Sequence, residues 1–285
     1  MKNFPTLSRP VSPWVTCFAT LVKGLQIARR YLPNLAGGFV ELAIRVAFFF
    51  LLANAVSINS RETSGVQMTG RELFIFFQGS LLLFIFTRAT LWGPINAVAN
   101  DLYNGTLEFL YSNPGSRYAY FVGTVLTEIV LAMVVFLPLY FFLVFTSRVN
   151  LLNMLLILLA CIAVLTALTA MGIMIALLAL VWRQVGSIAS VLGILFEMLA
   201  GAYLPVSAFP AALQYLAYLL PYTWGYDLIR YYSFGGRSGA RWQTILPVWA
   251  EWCFLILYAI LYTLTSRYLL RKAEQKAKRI GLHIL

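Results

Sequence analysis

Charged side chains set inside long apolar runs are the residues of this chain best placed to do chemistry. Glu41 and Arg45 stand four apart, on one face of a helix, and read as a structural ion pair, with a substrate site as the alternative. Glu128 and Glu197 have no cation within a helical turn along the sequence. They fall about 14 and about 15 Å into their runs at 1.5 Å per residue. At that depth they either line a hydrated pathway or hydrogen-bond to neighbouring helices in their neutral form. Glu251, near the start of the last run, is expected to snorkel outward or to face a loop.

Most other chemistry lacks its parts. No Gly-Lys dipeptide occurs, so there is no phosphate-binding loop of the Walker type, and no nucleotide-binding motif. The single histidine, His283, excludes paired-histidine zinc sites and histidine-based triads, so no catalytic residue, metal ligand or cofactor of the chain's own is expected. Cys17, Cys161 and Cys253 form no CxxC pair and read as free thiols packed as small hydrophobes.

The elements that must carry these charges follow from composition. Hydrophobic residues make up 61% of the 285 and charged ones 11%, where soluble domains run nearer half and a quarter. The bilayer has to be the solvent. The net charge of +11 would suggest nucleic acid in a soluble protein, but the basic residues sit at the ends of apolar runs and read as topology signals. No removable signal peptide is apparent at the N-terminus.

The expected fold is an all-α integral membrane protein in two parts: a lead-in with an interfacial helix over 1–32, and a six-span domain over 33–285. Residues 14–32 pair Trp14, Phe18, Leu21 and Leu25 with Lys23, Arg29 and Arg30, the pattern of an amphipathic helix lying in the interface. The spans are expected at 38–58, 73–92, 119–145, 151–182, 187–204 and 245–268, long enough for the ~20 residues that cross the hydrocarbon, the fourth overlong and so tilted or projecting. Lys and Arg favour cytoplasmic termini, with a cytoplasmic loop over 93–118 and a basic tail over 267–285. Residues 205–232 are apolar, but Pro205, Pro210 and Pro221 cut them into pieces too short to cross. They are expected to form short broken helices that re-enter the outer leaflet packed against protein, with Tyr215, Tyr218, Tyr222, Trp224 and Tyr226 at headgroup depth.

Within the cytoplasmic loop, Thr106 can cap a short helix carrying Leu107, Phe109, Leu110 and Tyr111. Asp101, Gly105, Thr106, Leu107 and Glu108, followed by Pro114 and Gly123, resemble the inner-loop pattern of type-2 ABC exporter permeases. The outer stretch from Leu204 to Pro210, then Leu219-Leu220-Pro221 and Arg230, is similar to the broken outer helices of that family. Asn104 departs from it, since many relatives carry a charged residue before the glycine.

The resemblance implies a permease subunit in the cell membrane, as a homodimer or paired with a similar permease, bound to cytoplasmic ABC ATPase subunits that hold ATP and Mg. Asp101, Gly105, Thr106, Leu107 and Glu108 would form the ATPase-docking helix. The cargo would be an amphipathic drug, a lipid or a lipid-linked glycan moved outward. An ion- or proton-coupled secondary transporter using Glu128 or Glu197 is the alternative. A lipid-modifying enzyme comes third, weakened by the missing catalytic motifs.

Overall fold

The computed structural model describes residues 12–30, 32–59, 69–87, 89, 90, 93, 116–181, 185–238 and 242–280. Among them every regular element is helical and no strand occurs. The helices are α1 (Pro13–Arg30), α2 (Leu32–Asn59), α3 (Gly70–Thr87), α4 (Arg117–Ser147) and α5 (Leu151–Val181), then α6 (Val185–Leu199), α7 (Ala211–Tyr218), α8 (Pro221–Ser233) and α9 (Val248–Ile280). The expected docking residues Asp101, Gly105, Thr106, Leu107 and Glu108 lie outside the described residues, as does Pro114.

Five helices are long and apolar enough to cross a bilayer: α2, α3, α4, α5 and α9. Their starts follow local rules. Thr69 and Glu72 open α3 as a reciprocal cap: the Thr69 amide donates to Glu72 Oε2 at 2.9 Å and the Glu72 amide to Thr69 Oγ1 at 3.4 Å. Ser116 caps α4 by accepting from the Ala119 amide. Arg148 closes α4 in the left-handed conformation at φ 53°, and α5 begins three residues later, so the two helices form an antiparallel hairpin. The last helix runs unbroken from Val248 to Ile280, so the basic segment from Arg267 to Arg279 continues a span and is not a separate loop.

The expected fifth span, 187–204, ends early. α6 stops at Leu199 after 15 residues, about 22 Å at 1.5 Å per residue, because the chain turns in a Schellman motif. The Ala202 amide donates to the Glu197 carbonyl at 3.1 Å and the Gly201 amide to that of Met198 at 3.2 Å. Gly201 sits at φ 90°, and a side chain there would meet Val206 and the Leu204 carbonyl within about 3.1 Å. Only glycine takes that position without strain.

α3 lies at the centre, with every residue from Phe74 to Leu83 buried. It packs on α2, α4 and α8, while α5 holds α8 and α9 on its other side. α8 packs against protein, as expected of this segment, and is itself part of the core. Tyr222, Trp224 and Tyr226 are at most 3% exposed and packed inside protein, whereas Tyr215 on α7 is 72% exposed. Gly225 makes this possible, since any side chain there would collide with Val164 of α5.

Candidate functional site

The three prolines of the 205–232 segment each start a short helix. Pro205 precedes the 3-10 turn Val206–Ala208, Pro210 precedes α7, and Pro221 occupies the first turn of α8, where its missing N–H costs nothing. The α7–α8 corner is pinned from inside. Trp224 Nε1 donates to the Tyr218 carbonyl at 3.1 Å, and the Tyr258 hydroxyl of α9 donates to that same carbonyl at 3.0 Å.

α8 thereby points Asp227 and Arg230 into the protein, both buried. Arg230 Nη2 donates to Ser80 Oγ at 2.7 Å, to the Gly201 carbonyl at 2.8 Å and to the Ala202 carbonyl at 3.2 Å. Its guanidinium lies 3.5 Å from the centre of the Phe76 ring. Ser80 Oγ in turn donates to the Ala202 carbonyl at 2.7 Å. One side chain thus ties α8, α3 and the turn that ends α6. Asp227 accepts from Trp242 Nε1 and, at 2.8 Å, from the Ile245 amide. Glu251 accepts from the Leu246 amide at 3.1 Å. The loop before α9 is therefore laid over two carboxylates. Glu251 faces that loop fully buried, so it does not snorkel.

A second charged group lies lower on α3. Arg45 Nη2 sits 3.2 Å from Glu41 Oε1, the ion pair expected from their spacing, with both side chains about one-third exposed on α2. Arg45 also covers the Phe84 ring at 3.8 Å. Its charge acts on Glu197 of α6. Arg45, Glu197, Tyr203, Ser80 and Phe84 line one small cavity of about 10 Å³, near the size at which a single water fits. Glu197 therefore does have a cation close by, but from 152 positions earlier in the chain (197 − 45). Spacing along one helix could not reveal it.

Glu128 belongs elsewhere. Its stem lies against Gly93, where an added Cβ would come within 3.2 Å of Glu128 Cβ. Glu128 instead sits beside the crossing of α1 and α4. A side chain on Gly123 would come 2.7 Å from the Cys17 carbonyl and from Thr20, and one on Gly24 would overlap Thr127. Small residues on both helices let the two backbones touch. α1 has no buried residue, and Trp14 and Phe18 are 82% and 68% exposed.

The chain matches the ABC-2 type transporter family over residues 16–234, from the first turn of α1 to the end of α8. It belongs to that family. No curated protein matches it closely enough to count as a relative. The permease is thus a multi-pass membrane protein and the non-catalytic transmembrane part of its transporter, which implies an ABC ATPase as partner. The Arg230 group and the Arg45–Glu197 group both fall inside the matched region, and α9 follows it.

Proposed function

We propose that the permease moves an amphipathic molecule, a drug, lipid or lipid-linked glycan, outward across the cell membrane, driven by a separate ATPase subunit that binds ATP and Mg. In this reading α6 completes a set of six spans, both termini are cytoplasmic, and α7 and α8 form a re-entrant outer segment. The functional unit is a homodimer or a pair with a similar permease. The segment containing Asp101, Gly105, Thr106, Leu107 and Glu108 docks the ATPase.

The observation that carries this reading is the amphipathic character of one flank. Ile44, Phe48 and Leu51 on α2 are 64%, 59% and 66% exposed, and Ile194 and Met198 on α6 are 58% and 54% exposed. Among these apolar side chains lies the Arg45–Glu41 pair, with Glu197 just behind it. An apolar face interrupted by charge suits a molecule with a greasy body and a polar end, because both parts find a partner. Such a face is costly to leave bare to lipid.

The test is reconstitution with an ATPase that co-purifies from the native host. Export into proteoliposomes should require that subunit and ATP. Glu108→Ala and Gly105→Val should lower both ATPase recovery and transport while membrane insertion stays normal. Transport by the permease alone, driven by an ion gradient, would overturn the reading. Labelling of a single cysteine at position 108 from outside intact cells would overturn the topology.

A further inference from the structure

We propose that the cleft between Arg71 and Arg148 binds the phosphate of an anionic phospholipid, whose acyl chains lie along the exposed aromatic ridge of α4. The site concerns a bound lipid and stands whichever cargo the permease moves.

The cleft lies where three apolar helices have their ends. Arg71 is the second residue of α3, Arg148 directly follows α4, and α5 begins at Leu151. Arginines at the ends of spans sit at the boundary between hydrocarbon and headgroups. Arg71, Arg148, Phe142, Phe145 and Thr146 line one open cleft of about 590 Å³, a size that takes a small ligand and so has room for a lipid headgroup.

Charge selects what fills it. No acidic side chain lines the cleft, and neither arginine has an ion pair among the described residues. Glu72, the neighbouring carboxylate, is turned to the Thr69 amide at 2.9 Å and is not part of the lining. Arg71 donates from Nη2 to the Thr146 carbonyl, which fixes its guanidinium at the end of α4 and leaves further N–H donors for a ligand. Two guanidinium groups on one cleft repel each other, and a phosphate between them turns that repulsion into charge-assisted hydrogen bonds.

The backbone at Arg148 points the same way. It is the one non-glycine residue with a positive φ among those described, at 53°. Glycine ends a helix in that conformation at least cost, so arginine here sets a side chain against a backbone preference. Strain of that kind collects where a side chain has a task. Behind the cleft, Phe145, Phe141, Leu137 and Val134 are exposed along one face of α4. An acyl chain leaving a phosphate held by the arginines runs onto this ridge, which a free phosphate would not use. A zwitterionic lipid brings a cation of its own to a cleft that already holds two, so a net negative headgroup is favoured.

Native mass spectrometry of the full-length permease in detergent, titrated with phosphatidylglycerol or phosphatidylcholine of matched chains, reads the site. The wild type should retain one phosphatidylglycerol per chain saturably and hold phosphatidylcholine about tenfold more weakly. Arg148→Gly removes the guanidinium and gives the turn its preferred residue, so it should fold as well as wild type. It should bind phosphatidylglycerol about tenfold more weakly, as loss of one charge-assisted contact does. Arg71→Gln should weaken it by a similar factor. Glycerol 3-phosphate, the headgroup fragment without chains, should not displace the lipid. Equal affinity for the two lipids or wild-type phosphatidylglycerol binding by Arg148→Gly would overturn the proposal. So would displacement by glycerol 3-phosphate at equal concentration, which would make the occupant a soluble phosphate. If Arg148→Gly does not fold, the two lipids and glycerol 3-phosphate on the wild type decide alone.

Discussion

Arg230 and Arg45 meet α3 two turns apart, the first on Phe76 and Ser80, the second on Phe84. Arg230 is 2% exposed, and three oxygen acceptors from two other parts of the chain converge on its Nη2. Arg45 is about one-third exposed and is shared between Glu41 on its own helix and the field of Glu197. A charge whose partners all come from distant elements fixes those elements to one another. A charge with one local partner and one distant partner has two places to go. The first arrangement belongs to a part that holds its shape, and the second to a part that can change it.

The comparison breaks most readily at Arg230. Arg230→Met should leave Ser80 Oγ and the Gly201 and Ala202 carbonyls without their buried donor, at a cost of about 3–5 kcal/mol for one partner lost from a buried group. The expected result is a large fall in the detergent melting temperature, or loss of monodisperse protein on size exclusion. Trp242→Phe removes one donor from buried Asp227 and should cost about 1–3 kcal/mol, read as a smaller fall in the same melting curve. Gly201→Ala forces a side chain into φ 90° beside Val206, and should cost about 1–2 kcal/mol while unsettling the carbonyls that Arg230 holds. Glu41→Gln should change the melting temperature least, at about 1 kcal/mol or below for a half-exposed pair. A fall as large as that of Arg230→Met would show that the lower group is as fixed as the upper one.

How much of this was legible depended on distance along the chain. The Glu41–Arg45 pair is a matter of four-residue spacing, and the structure contains it. The Thr69-to-Glu72 cap and the helix-ending Gly201 are also local signals, and both are readable once sought. The expectation for 187–204 ran past Gly201 because hydropathy alone does not register a left-handed turn. That the 205–232 helices pack against protein was legible from prolines that leave pieces too short to cross, but how fully α8 is enclosed was not. Its tyrosines and Trp224 suit an interface by type, and only the notch at Gly225 against Val164 shows that the helix is enclosed. Ser80 with Arg230, and Arg45 with Glu197, are separated by more than a hundred residues, so no periodicity could join them. The resemblance marked Arg230 and Gly123 without giving a reason. The reasons are the carbonyls of the Gly201 turn and the crossing with α1.

α9 contains neither glycine nor proline over its 33 residues, which makes it about 50 Å of uninterrupted helix. One end carries Glu251, clamped to the loop that also rests on Asp227, and the other runs eight residues past Lys272 as a basic rod. A helix without a hinge transmits twist. A turn of this shaft at its far end would arrive beneath the loop that precedes it, pulling on the Leu246 amide and so on the segment that Asp227 holds.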